Sequence, residues 1–319
     1  MESTSVRRKV PFLVGPTASG KTELALRIAR RWKTQIISAD SRQLYKGMHI
    51  GTAQPTPDQL AVVPHHFVDC MDPSEPFSAG EYGRRARALI EQLLQAGVTP
   101  LVVGGSGLYV SALADDFFTG PSADLDFRLR LRDRRDRVGT AALYRELQQA
   151  DPISAEKIMV SDYRRIERAL EIYHLTGIPI SELRRKKANP PPYHPVIVGL
   201  FWERQKLYER INLRCRRMLD DGFIEEVRQL RSSGLTPENC IALDSVGYKE
   251  VFSFLNGELD ESEMLRLFQR NTRRFAKRQL SWFHRDDRIY WIQRDETRSL
   301  QETVQEVIQI YKNNGISLD

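Results

Sequence analysis

The segment G-P-T-A-S-G-K-T, Gly15 to Thr22, stands between an apolar run, KVPFLV (9–14), and an amphipathic run that begins at Thr22. A Gly-x-x-x-x-Gly-Lys-Thr loop works where a strand hands over to a helix N-terminus. There its amides and the helix dipole gather phosphate oxygens, and the lysine neutralises them. Residues 9–14 read as a buried strand and 22–32 as a helix, with Leu24, Ala25, Ile28, Ala29 and Trp32 on one face. This feature points to an α/β fold around a parallel sheet. Gly15, Pro16, Thr17, Ala18, Ser19, Gly20, Lys21 and Thr22 form the candidate phosphate cradle, and the Thr22 hydroxyl is a candidate ligand for Mg²⁺. Such a loop recognises a di- or triphosphate. It does not specify a nucleoside.

The following segments extend the pattern. TQIISAD (34–40) reads as a second strand, and FSAGEYGRRARALIEQLLQAG (77–97) as a helix closed by Gly97. TPLVVGGSGLY (99–109) reads as a third apolar strand ending in glycines. Strands alternating with helices imply right-handed crossovers in a parallel sheet, with ligands at the carboxyl ends of the strands. Gly15 to Thr22, Asp40 and Gly104 to Gly107 all fall there.

The character changes at about residue 118, where helical, charged segments without strong strands begin. They end at ANPPPYHP (188–195), which reads as a linker. VIVGLFW (196–202) is again a buried strand, followed by helical stretches at 205–233, broken at Gly222, and at 247–285. The expected architecture is a P-loop NTPase-like parallel sheet core, 1–117 and 196–319, with an inserted all-helical domain at 118–195.

Charge is distributed unevenly over these parts. The net charge is +6 with a pI near 9.2, yet residues 118–195 carry fifteen Lys/Arg against eleven Asp/Glu, and 266–288 carry eight against two. Basic surface concentrated in two segments suits a nucleic-acid partner, although solvated helix faces produce the same composition. Cys70, Cys215 and Cys240 are too scattered for a disulfide framework or a metal site. His65 and His66 lack companions at ligand spacing and read as structural. No segment approaches the ~20 apolar residues of a membrane span, and the N-terminus lacks the apolar length of a signal peptide. A cytoplasmic protein without membrane contact is the expectation.

An ordinary P-loop nucleotidase closes an apolar strand with an Asp that holds Mg²⁺. Here PLVVGGSG ends in glycines, and the strand that ends in an acid is QIISAD. Asp40 could hold Mg²⁺ indirectly, act as a base toward an acceptor near the phosphates, or simply cap the turn that follows it.

Seven segments then occur in order: GPTASGKT, ISADSRQLYKGMHIGTAQP, PHHFVDCMDP, VVGGSGLY, SDYRRIERALEIY, LDSVGYKE and RRFAKRQLSWF. Together, over residues 10 to 292, they resemble the tRNA dimethylallyltransferase (tRNA isopentenyltransferase) family. The resemblance implies transfer of a dimethylallyl group from its diphosphate to N6 of the adenosine on the 3′ side of the tRNA anticodon. The loop would then hold an isoprenoid diphosphate with Mg²⁺, and ATP would have no part. An allylic diphosphate ionises readily once its leaving group is stabilised. The adenine amino group, a poor nucleophile, needs a proton acceptor, and Asp40 is the candidate base.

By the same resemblance Ser106, in GGSGLY, touches the reacting diphosphate. Arg214, selected among Arg210, Arg216 and Arg217 by its spacing from ML and GF, stabilises the departing pyrophosphate. Asp40, Ser41, Arg42 and Gln43 would meet the target base and its neighbours. Arg128, Arg164, Arg165 and Arg168 of the inserted domain would grip the anticodon stem-loop. Gly247 and Tyr248, with Arg273, Arg274, Lys277 and Arg278, would hold RNA from the core side. The chain ends without a Cys/His pair, like the shorter bacterial members, and LDSVGY departs from the wording common in the family. A monomer is expected.

Three rivals keep other outcomes open. A small-molecule kinase would use the loop for ATP and leave the two basic segments without a role. Prenylation of a free adenine nucleotide would leave the inserted domain without one. An RNA-binding regulator would be indifferent to Lys21 and Asp40.

Overall fold

The computed structural model describes residues 7–118, 120–186 and 190–316. The chain runs through β1 (Lys9–Val14), α1 (Lys21–Arg31), β2 (Ile36–Ser38), α2 (Pro57–Val62), β3 (His65–His66), α3 (Ala79–Gln95), β4 (Leu101–Gly104) and α4 (Gly107–Ala114). Five helices follow: α5 (Leu125–Val138), α6 (Thr140–Ala150), α7 (Pro152–Ala155), α8 (Tyr163–Thr176) and α9 (Ile180–Lys186). The last part comprises β5 (His194–Trp202), α10 (Arg204–Asp220), α11 (Phe223–Ser232), α12 (Tyr248–Leu255), α13 (Glu261–Phe283), β6 (Tyr290–Arg294) and α14 (Leu300–Asn313).

Among the described residues, six strands form one parallel sheet in the order β3-β2-β4-β1-β5-β6. The central strands are buried on both faces, so they read as apolar runs rather than alternations. Helix α1 buries Leu24, Ala25, Ile28 and Ala29 in a cluster that includes Leu13, Val198 and, from α14, Val304, Val307, Ile308 and Tyr311. Tyr311 lies 5.7 Å from Trp32, centroid to centroid, and its hydroxyl donates to the Phe12 carbonyl at 2.7 Å. Truncating one such side chain, Leu24→Ala, costs about 2–5 kcal/mol.

Two readings of the sequence change here. The second strand is limited to Ile36–Ser38, because Thr34 closes the turn that follows α1, its amide bonded to the Ala29 carbonyl at 3.0 Å. Strand β6 and helix α14 lie beyond the elements that periodicity selected. On β6 Ile292 alone is buried, and the short run Tyr290 to Ile292 shows no alternation that would mark a strand. His65 and His66 form the edge strand β3.

The chain divides into two compact units, residues 1–114 with 191–319 and residues 115–190. The inserted unit therefore begins and ends a few residues before the composition change at 118 and 195. The physical reason is Tyr193, which is buried and donates its hydroxyl to the Leu113 carbonyl, while His194 already pairs with Lys9. Most of the Pro-rich stretch thus belongs to the sheet unit; Ala188 and Asn189 lie outside the described residues. The inserted unit has its own core, formed by Leu131, Leu143, Leu147, Ile166, Leu170, Ile180 and their neighbours. Asp151 is its polar anchor: it caps α7 through the Ser154 amide and accepts both the amide and the hydroxyl of Ser181 at the start of α9.

Candidate active site

Gly20 gives α1 no capping side chain, so among the described residues no side chain caps the first-turn amides of that helix. The loop before it is held from outside by its carbonyls. Lys21 Nζ donates to Pro16 O at 2.7 Å, Arg210 Nε to Ala18 O at 3.0 Å, and Trp202 Nε1 to Ser19 O at 3.1 Å. Arg210 also lies over the Trp202 ring, 4.3 Å from its centroid. These bonds fix the loop by its carbonyls, and amides left unpartnered at a helix start are what an anion needs.

Three charges converge at this end of the sheet. Burial lowers the Lys21 ammonium to about 7, with Asp40 opposing that fall and Arg214 adding to it. Burial also lowers Arg214, again opposed by Cys215 and Asp40. Two desolvated cations that each feel one carboxylate form a preorganised field for a multiply charged anion. Arg214 is presented by α10, whose inner face buries Leu207, Ile211, Cys215 and Met218. That helix is fastened to α13 by Arg273 Nη1, which donates to Asn212 Oδ1 at 2.6 Å, and by Gln269 Nε2, which donates to Asn212 O at 3.2 Å.

Asp40 follows β2 at the carboxyl end of the sheet. The Ala39 amide still pairs with Val103 O at 2.7 Å, and the Ser106 amide donates to Ala39 O at 3.2 Å. Asp40 Oδ1 accepts the amides of Arg42 at 2.9 Å and Gln43 at 3.4 Å. Its other oxygen has no hydrogen-bond donor among the described residues. Capping of the turn and availability as a base therefore coexist on one carboxylate. Ser106 Oγ accepts the Ser41 amide at 2.9 Å and lies 3.1 Å from Ser41 Oγ, so it ties the loop after β4 to the turn after β2. Gly104 cannot carry a side chain, since a Cβ there would stand 2.1 Å from Ala39 O.

The other residues named from sequence divide by exposure and partners. Gln43 is engaged internally, with Nε2 donating to Ala53 O at 2.9 Å, and Arg42 donates to Ile241 O at 2.9 Å. Arg274, Lys277 and Arg278 are exposed on α13, whereas Arg273 is engaged with Asn212. Tyr248 is buried. Its side chain is 1% exposed, its hydroxyl donates to Glu226 Oε1 at 2.7 Å, and Phe223 packs edge-on to it. Gly247 is buried as well, its amide donating to Glu250 Oε2 at 2.7 Å.

In the inserted unit Arg128 and Arg168 converge on buried Glu171. Arg128 binds it through two contacts of 2.8 Å and Arg168 through one of 2.5 Å. Those two arginines hold the unit together; Arg164 and Arg165 are the exposed pair. Gln279, Trp202 and the loop contact of Arg210 were not legible as site features. The available signal for Gln279 was an amide on the apolar stripe of a helix, between Ala276 and Phe283.

Among the described residues no group of three or more His, Cys, Asp or Glu could hold a metal. The Thr22 hydroxyl, exposed at the start of α1, has no hydrogen-bond partner among them. That donor set fits a Mg²⁺ bound mainly through phosphate oxygens and water rather than by a protein cage. No helix among the described residues is long and apolar enough to cross a membrane.

Comparison with known proteins points one way. The family model described as IPP transferase matches residues 43–286. A tRNA dimethylallyltransferase of Heliobacterium modesticaldum is 42% identical over 301 residues, which cover 93% of this chain and 94% of that one. The Geobacillus kaustophilus protein of the same name is 41% identical over 300 residues, 94% of this chain and 95% of its own. The crystal structure of the full-length tRNA isopentenylpyrophosphate transferase of Bacillus halodurans covers 96% of this chain and 98% of its own, with a TM-score of 0.69 at 37% identity. A eukaryotic dimethylallyltransferase, crystallised in snapshots of its action on tRNA, reaches a TM-score of 0.81 at 25% identity, over 98% of this chain and 81% of its own.

Proposed function

The chain belongs to the IPP transferase family of tRNA dimethylallyltransferases, and from that premise we propose the reaction that its site performs. The donor is dimethylallyl diphosphate, and the acceptor is N6 of the adenosine 3′-adjacent to the anticodon of a tRNA. The observation that carries this reading is the convergence of Lys21, Arg214 and Asp40 at the uncapped start of α1.

The first-turn amides and Lys21 hold the diphosphate, and Arg214 stabilises charge as the bond between the allylic carbon and oxygen breaks. The adenine nitrogen forms its bond to that carbon and loses a proton to the free oxygen of Asp40. Pyrophosphate leaves carrying the bonding electron pair. The Thr22 hydroxyl would hold a Mg²⁺ beside the diphosphate, and the ion would supply further neutralisation of the leaving group. Exposed Arg274, Lys277 and Arg278, and on the inserted unit Arg164 and Arg165, offer cations to RNA phosphates. The reading takes the protein as a monomer that acts on tRNA in the cytoplasm.

The test combines the protein and Mg²⁺ with unmodified tRNA and dimethylallyl diphosphate, in the absence of ATP, and reads digested RNA by mass spectrometry. A five-carbon gain on the adenosine beside the anticodon is expected. Gain on free AMP with none on tRNA would move the acceptor to a nucleotide. ATP consumption without transfer would overturn the reading.

A further inference from the structure

The buried amide of Gln279 stands between the two loops that the reaction uses. It is 6% exposed, on the inner face of α13. Its Oε1 accepts the Thr17 amide of the diphosphate loop at 2.8 Å, and its Nε2 donates to the Gly105 carbonyl at 2.8 Å. Gly105 immediately precedes Ser106. The contact is tight, since a Cβ on Gly105 would lie 2.6 Å from Nε2 and 3.1 Å from Gly15 O.

The two partners fix the amide's orientation, because a backbone N–H requires the oxygen and a carbonyl requires the NH₂. Among side chains of this length, glutamine supplies a neutral acceptor and donor side by side. A glutamate at neutral pH could satisfy Thr17 but would set a charge against Gly105 O. A methionine would fill the space and satisfy neither. The same helix is anchored to α10 through Arg273 and Asn212, and α10 carries Arg214 and the loop-holding Arg210.

We infer that Gln279 is a positioning residue: its two-handed bond sets the spacing between the diphosphate loop and the loop that carries Ser106. The inference rests on the diphosphate reading above, and the control separates the two. Isothermal titration of the full-length protein with inorganic pyrophosphate and Mg²⁺ comes first; absence of binding by the unaltered protein would sink the diphosphate reading itself. Gln279→Met is then expected to raise the pyrophosphate Kd about tenfold, in line with the loss of one to two buried hydrogen bonds. The donor KM should rise with it, while tRNA affinity stays unchanged.

Gln279→Glu supplies the readout that a purely structural role would not move. Its ratio of Kd to that of the unaltered protein, measured at the same pH, is expected to be high at neutral pH. It should fall toward unity as pH drops, because a protonated carboxyl again both accepts from Thr17 and donates to Gly105. A lowered melting temperature in Gln279→Met with unchanged Kd and KM would overturn the inference. So would a Gln279→Glu ratio that does not move with pH.

Discussion

Asp40 Oδ1 accepts the Arg42 amide at 2.9 Å, so the carboxylate beside Lys21 and Arg214 also caps its own turn. Substitution by alanine removes both roles at once and cannot distinguish them. Asparagine can, because its carbonyl keeps the cap and only the proton acceptor is lost.

Asp40→Asn is therefore expected to lower kcat by about a hundred- to ten-thousand-fold, the range for a lost general base. Affinity for tRNA and thermal stability should stay near those of the unaltered protein. Asp40→Ala should show the same chemical loss plus destabilisation of about 0.5–1.5 kcal/mol from the missing cap bond. Single-turnover transfer with a filter-binding control measures both, and equal loss of RNA affinity in Asp40→Asn would remove the base assignment.

Lys21 gives the site a pH dependence of known sign. Burial lowers its ammonium to about 7, so the free protein holds it largely neutral above that pH, whereas a bound diphosphate favours the charged form. Binding must then take up a proton at mildly alkaline pH, and affinity should fall by up to about tenfold per pH unit above 7. For folding, the unfolded chain binds the extra proton between about 7 and 10.5, so the lysine's cost to stability is full below 7 and is relieved as pH rises through that window. Titration of pyrophosphate in buffers of different ionisation enthalpy counts the protons. Lys21→Ala should weaken binding and abolish the uptake.

Legibility followed the chemistry of the segments. The handover from β1 to α1 could be read because a glycine loop, a lysine and an apolar stripe coincide within about 20 residues. Asp40 and Ser106 were legible as loop residues at strand ends, because parallel strands deliver ligands there. The burial of Tyr248 was not legible, because an aromatic next to a glycine looks the same in sequence whether it is a surface platform or a buried pillar. Burial by Phe223 and Glu226, which come from another helix, decides between them. Arg128 and Arg168 pose the same problem, since composition cannot show that Glu171 claims both. Gln279 was hidden because its two partners lie 262 and 174 positions away in the chain.

Tyr248→Phe tests the buried reading. Removing the hydroxyl leaves Glu226 with one donor fewer, while that carboxylate keeps the amides of Ile50 and Gly51. The expected cost is about 1–3 kcal/mol in urea unfolding, with RNA affinity unchanged. Weakened RNA binding without loss of stability would return this ring to the RNA surface.

The exposed cations of α13 make a separate, electrostatic prediction. Replacing Arg274, Lys277 and Arg278 by alanine should weaken binding of all tRNAs alike. It should also reduce the dependence of log Kd on log salt concentration by about 2–3, if each cation neutralises one phosphate. Arg273→Ala should act differently, through stability, because its guanidinium is engaged with Asn212. An unchanged salt slope in the triple variant would place the RNA elsewhere.

Glu171 decides how the inserted unit responds to acid. Its burial favours the neutral form, but hydrogen bonds from Arg128, Arg168 and the Asp124 amide outweigh that and hold the carboxyl below its ordinary value. A depressed folded value means that the contribution to stability is fully present above the unfolded pKa and is lost as pH falls through the folded one. Glu171→Gln leaves two guanidiniums, 23% and 32% exposed, facing a neutral amide, and the loss of these charge-assisted hydrogen bonds costs about 1–3 kcal/mol. Hydrogen exchange of the amides in residues 115–190 should therefore accelerate in the variant at neutral pH, and in the unaltered protein only in acid. Exchange in the variant that matches the unaltered protein at neutral pH would show that the arginine pair contributes nothing to the stability of this unit.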